Sequence, residues 1–232
     1  MPKLSLVERG IRKKATTGKP RLPIGPDILH QIKALWLPSA HQRETITLRA
    51  VCVVCFFGFF RLGELIAPSL ADSNNTLLFS DLSIDSLSSP SIIEIHLRHS
   101  KTDHFGSGVS VFIGDSFDDL CPISALLAYL AVRGGAPGPL FCHSDGRALT
   151  KVQVVSKVRQ ALDTLGLNSQ QYAGHSFRIG VATTAAQCGL EDSLIKALGR
   201  WESHTFQLYI RTPRQKLAGV TKILSSQTSL LG

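Results

Sequence analysis

The sequence predicts an α+β fold, mainly α, with a small antiparallel β-sheet. Three observations point to it. Apolar residues recur at helical spacing, as in Ile28, Ile32, Leu35 and Trp36. Residues Ile92–Arg98 alternate instead, Ile93, Ile95 and Leu97 against Glu94, His96 and Arg98, and Val109–Ile113 supplies a partner strand. Proline and glycine stand where helices would start and stop: Pro26 and Pro122 at the starts, Gly134–Gly135 and Gly166 at the ends. No internal repeat divides the chain.

A chain of 232 residues, 44% of them hydrophobic, can bury a sizeable core in one domain, or in one domain plus an arm. Its charge is concentrated in that arm. Residues 1–21 hold Lys3, Arg9, Arg12, Lys13, Lys14, Lys19 and Arg21 against Glu8 alone, a net +6 of the chain's +8. A basic arm punctuated by glycine and proline reads as a linker that contacts a polyanion. A solubilising tail would carry the same charge, and charge alone does not separate the two.

The first helix starts at Pro26. A second runs from about Glu44 to Phe60, nearly apolar in its second half, and delivers Arg61 with Glu64 one turn later. Residues 69–91 are rich in Ser, Asp and Asn and read as loop, with a short strand at about Leu82–Asp85. Between the two main strands His99–Gly108 forms a turn carrying Lys101. Pro122–Val132 reads as a helix, and Thr150 caps another that runs to about Leu165. Gly174 then breaks the chain before a helix striped by Phe177, Val181, Ala185 and Cys188. A short helix near Glu191–Leu198 leads to a segment with Trp201, His204 and Tyr209. Pro213 opens a last amphipathic stretch with Leu217, Val220 and Leu224 on one side.

Several functions are disfavoured. The longest apolar run, Ala50–Phe60, is well short of the roughly 20 residues a bilayer needs, so no membrane span is expected. Residues near Met1 lack an apolar h-region, so no signal peptide is expected. Cys52 and Cys55 spell CxxC inside an apolar helix with no second ligand pair. They read as small hydrophobes in a reducing compartment, with no metal site.

His175 and Arg178 lie one turn apart at a helix start, where unpaired N–H groups favour an anion, so the pair suits a phosphate. A capped helix with two solvated polar residues is the plainer alternative. Glu64 is well placed for an ordinary ion pair with Arg61, Lys101 for a solvated turn, Trp201 for a core and Tyr209 for a half-buried aromatic site. Gly174-His175-Ser176 prompts a serine nucleophile, but Arg178 stands where the elbow needs glycine and Asn168–Ala173 is not strand-like.

Taken in order, the segments FFGFFRLGEL, HSKTD, GHSFRIG and LGRWESHTFQLYIR, spanning residues 56–211, resemble the catalytic domain of tyrosine recombinases, the phage integrase family. The wording of SKTDHFGSGVSV, LAVRGGAPGPLF and GHSFRIGVATTAA is similar to recombinases of eukaryotic mobile elements, the DIRS/Ngaro-type retrotransposons or Cryptons. The resemblance implies a helical catalytic domain over residues 26–212, after a basic arm or interdomain linker over 1–25 and before a C-terminal helix or tail over 213–232 that packs in trans. It implies strand cleavage and rejoining on double-stranded DNA, in the nucleus, with no cofactor and with self-association into a dimer or tetramer on DNA.

In that scheme Tyr209 attacks the phosphodiester, giving a 3′-phosphotyrosine and a free 5′-hydroxyl. Arg61 and Arg178 hold the nonbridging oxygens, because a guanidinium stays charged and binds them bidentately. His175 assists the tyrosine, Lys101 protonates the leaving 5′-oxygen, Trp201 donates to a phosphate oxygen or packs the site, and Glu64 orients Arg61. Arg9, Arg12, Lys13, Lys14, Lys19 and Arg21 of the arm would contact DNA. Many members carry His or Trp nine positions before the nucleophile; here that position is Arg200, with Trp201 one later and His204 in the same segment. Members also place a helical core-binding domain first, which this sequence does not show. A domesticated or decayed recombinase acting as a non-catalytic DNA-binding module is the alternative, and a type IB topoisomerase shares the chemistry.

Overall fold

The computed structural model describes residues 21–39, 42–69, 76–86, 88–98, 108–201 and 207. Helix α1 (Pro26–Trp36) starts at its proline and turns Ile28, Leu29 and Ile32 inward. Helix α2 (Arg43–Phe57) is the centre of the core, with every residue from Ala50 to Phe56 buried. It packs against α1, α4 (Pro122–Arg133) and α6 (Ser176–Gln187). A helix apolar on all faces belongs inside.

Helix α2 ends three residues sooner than the sequence pattern suggested. An unbroken apolar run carries no phase, so periodicity could not find its end. Gly58 closes the helix and Phe59 turns the chain with φ +53°. Arg61 therefore does not end the long helix; it caps the short α3 (Leu62–Leu65).

The sheet is antiparallel in the order β1 (Leu82–Ile84), β2 (Ile92–Leu97), β3 (Val109–Gly114), with Ile95 opposite both Leu82 and Val111. The alternation of β2 is as expected: Ile93, Ile95 and Leu97 are buried. The described part of the stretch read as loop holds a 3-10 turn at Phe79–Asp81 and a bridge from Leu78 to Pro139. The turn carrying Lys101 lies outside the described residues.

Helix α5 (Lys151–Thr164) is capped reciprocally by Thr150 and Gln153. Helix α6 is not a striped surface helix but is buried from Ser176 to Thr183, while Cys188, assigned to its apolar stripe, is exposed. It is walled by α2 and by the chain ahead of α1, where the Ile24 amide donates to the Ser176 carbonyl at 3.0 Å. A Cβ on Gly180 would lie 1.8 Å from the Ile24 carbonyl oxygen, so only glycine admits this strand of chain. Ile24 is fully buried, although its segment read as linker, and Arg21 donates to the Gln170 carbonyl. Helix α7 (Asp192–Leu198) packs on α6. Cys52 and Cys55 are free and buried, and burial pushes the Cys52 thiol up to about 12, so both act as small hydrophobes. Among the described residues no helix is long and apolar enough to cross a membrane.

Candidate active site

The turn that ends α2 aims main-chain carbonyls at one spot, and three arginines gather there. Phe59, held at φ +53°, offers its carbonyl to Arg178 Nη1 at 2.7 Å and to Arg200 Nη2 at 3.1 Å. Arg200 Nη1 also donates to the Gly58 carbonyl at 3.2 Å. Glu64, the third residue of α3, reaches back to the Arg61 amide at 2.8 Å, as a capping carboxylate does. Its other oxygen accepts from Arg61 Nη1 at 2.7 Å, while Arg200 Nη2 donates at 3.0 Å to the oxygen that takes the Arg61 amide.

Electrostatics follow from this crowding. Burial pushes the Glu64 carboxyl up, but Arg200, the Arg61 amide, Arg178 and the Arg61 guanidinium outweigh it and hold it below the usual range. His175, the cap residue of α6, is pushed down to about 4, by burial first and then by the cations of Arg178, Arg61 and Lys151. The imidazole is thus neutral at physiological pH and able to accept a proton, but its basicity is lowered until an anion offsets these cations.

Arg178 has no exposure. Besides the Phe59 carbonyl it donates to that of Gly199, and its guanidinium lies 4.3 Å from the centre of the Trp201 ring. Trp201 is buried and meets Phe59 edge-on, so it packs the site. Arg200 takes a left-handed φ of +53° and lies over the Phe60 ring. Arg61 is the open member, its side chain 30% exposed.

Arg61, Glu64, His175, Arg178, Arg200 and Trp201 are therefore brought together. Lys101, His204 and Tyr209 lie outside the described residues, as do Arg9, Arg12, Lys13, Lys14 and Lys19. Sequence reasoning missed the Phe59 carbonyl, a main-chain group with no sequence signal, and Lys151, whose capping box was legible but whose neighbour His175 was not. Among the described residues no group of His, Cys, Asp and Glu could hold a metal. Ser176 is fully buried and its hydroxyl accepts the Ala173 amide at 3.0 Å, which removes the serine-nucleophile reading.

No protein-family model matches the sequence. The chain is 26% identical over 204 residues to an integrase/recombinase XerD homolog of Selenomonas ruminantium, covering 83% of this chain and 54% of that protein. It thus spans about half the length of that curated relative. Its fold is similar to that of XerH site-specific recombinase bound to palindromic difH substrate in a post-cleavage complex, with TM-score 0.63 and 18% identity over 90% of this chain and 55% of that one. XerA recombinase is similar at TM-score 0.61 and 19% identity, over 88% of this chain and 64% of that one.

Proposed function

We propose that this chain, whose fold is that of the tyrosine recombinase catalytic domain and whose comparisons support the tyrosine recombinase/integrase family, cleaves and rejoins DNA through a 3′-phosphotyrosine intermediate. The observation that carries this is the meeting of Arg61 with His175 and Arg178, far apart in sequence, around one cationic site. Such a site suits a reaction in which negative charge builds on nonbridging phosphate oxygens.

Tyr209 is the nucleophile. The chain has three tyrosines, and Tyr129 and Tyr172 are buried in the core. The Tyr209 hydroxyl passes its proton to neutral His175 as its oxygen attacks phosphorus, the bond to the 5′-oxygen breaks, and Lys101 protonates that oxygen. Arg61 reaches the phosphate from its exposed side while Glu64 holds its other edge. Arg178 meets the phosphate only when the Gly199–Trp201 backbone draws back, because its guanidinium is otherwise wholly covered.

The duplex is double-stranded DNA, gripped in part by the arm, and the active assembly is a dimer or tetramer of this chain on DNA. The segments SKTDHFGSGVSV and GHSFRIGVATTAA support a place among eukaryotic mobile-element recombinases, and so the nucleus. The burial of Arg178 also supports a second reading, a non-catalytic DNA-binding module. One assay separates them. On nicked duplex the wild-type chain forms a covalent protein–DNA band that Tyr209→Phe abolishes while binding persists. Binding without any covalent band leaves only the second reading.

A further inference from the structure

A groove of about 880 Å³ runs along α5 and ends at the site, lined among others by Ser156, Arg159, Gln160, Gly174 and His175. Lys151 stands where groove and site meet. As the first residue of α5 it is fixed in place by its own amide, which donates to the Ala67 carbonyl at 2.9 Å just beyond α3. The helix that carries it is thereby tied to the element that carries Arg61 and Glu64.

Its side chain is exposed and passes close over Gly174. A Cβ at Gly174 would lie 3.3 Å from Lys151 Cε and 3.1 Å from the Leu62 side chain. Gly174 is not among the glycines with left-handed φ, so what it supplies is room for these neighbours. The Lys151 charge is felt at His175 together with those of Arg61 and Arg178. Among the described residues no carboxylate forms an ion pair with Lys151. Glu64 is paired with Arg61 and Arg200 and offsets only part of this charge, so the cations beside the imidazole favour a further anion. A lysine ammonium is a compact, rotatable donor suited to a phosphate oxygen at the rim of such a site.

We propose that Lys151 is a substrate-contacting residue of this site, its ammonium seated on a backbone phosphate of the DNA strand that Arg61 and His175 engage. The inference rests on the chain being a DNA strand-cleaving protein. In binding to a short mixed-sequence duplex across a salt series, each phosphate neutralised adds about 0.9 to the log–log slope. The full chain with Lys151→Ala or Lys151→Gln should lose about 0.9 of slope, and Lys151→Arg should keep it. A purely structural lysine would not move the slope or be rescued by arginine in this way. His175, followed by NMR in the free Lys151→Ala chain, should titrate higher than in wild type, which verifies both folding and placement.

An unchanged slope in Lys151→Ala, with the wild-type chain still forming its Tyr209 adduct, overturns the role of Lys151 alone. A slope lost in Lys151→Arg as fully as in Lys151→Ala overturns it too. A wild-type chain that neither binds the duplex nor forms the adduct overturns the functional reading as well.

Discussion

Glu64 and Arg200 lie 136 positions apart and meet at 3.0 Å, each side chain only 9% exposed. The pair joins the turn after α2 to the segment after α7, and so fixes the distance between the Arg61 and Arg178 halves of the site. Arg200 is spoken for by Glu64 and by the carbonyls of Gly58, Phe59 and Leu198, and its Nε has no hydrogen-bond partner among the described residues. Its part in this structure is to brace the site.

Removing one partner of a buried pair leaves the other charge stranded, which costs about 3–5 kcal/mol. Glu64→Ala strands Arg200 and also strips the cap from α3. We expect it to lower stability by about 3 kcal/mol in denaturant unfolding, and Arg200→Ala to be less than additive with it. A loss under about 1 kcal/mol, the range of an exposed pair, would mean that the network does not hold the site together.

The His175 imidazole gives a pH prediction. Its folded value is about 4, below the ordinary 6.5, so between those values the unfolded chain binds the extra proton. The stability His175 contributes is therefore complete above about 6.5 and is lost as pH falls toward 4. His175→Gln should flatten that window in a pH series of unfolding midpoints. In wild type the ring should titrate near 4 without DNA and higher with it, since a phosphate favours the imidazolium. A ring titrating at its ordinary value in the free protein would show that it is not covered as described.

Which parts of this were legible follows from which signals are local. Caps are chemistry between near neighbours, so Pro26, Thr150 and the glycines Gly134 and Gly166 marked their elements in the sequence. The alternation of Ile93, Ile95 and Leu97 fixed the buried face of β2 for the same reason. The end of α2 was missed because the apolar run continues on both sides of Gly58, the local stop signal, and the turn there depends on Phe59 taking a left-handed conformation. At the site, residue types were legible and bonds were not. The arginines stood out by their order, but the Phe59 carbonyl that binds two of them is invisible to any reading of side chains. The bracing by Arg200 and the approach of Lys151 are long-range contacts that no spacing announces.

The arm is testable by its charge. Residues 1–21 carry +6 of the net +8. Deleting residues 1–20 keeps Arg21, which bonds the Gln170 carbonyl, and the packed Leu22–Ile24 segment. The shortened chain should fold as before, bind duplex more weakly and show a flatter salt dependence, by about 0.9 in slope for each phosphate released. An unchanged slope would make the arm a solubilising tail.

Lys101 is tested by the leaving group. It follows β2, in a segment with Gly106 and Gly108, and is proposed to protonate the departing 5′-oxygen. If so, Lys101→Ala should slow cleavage by about 10²–10⁴. A lysine that only attracts the phosphate could cost as much, so the rate alone does not assign the role. Replacing the 5′-bridging oxygen with sulfur does, because a thiolate leaves readily without a proton. Lys101→Ala should then be slow on ordinary DNA and largely restored on the sulfur substrate, whereas Arg178→Ala should be slow on both. Equal impairment of Lys101→Ala on the two substrates would make Lys101 a phosphate clamp. The acid would then have to come from elsewhere in the site. His175 is a poor candidate in the free protein, being neutral well above pH 4, and Lys151 at the rim of the site would be the next lysine to try on the sulfur substrate.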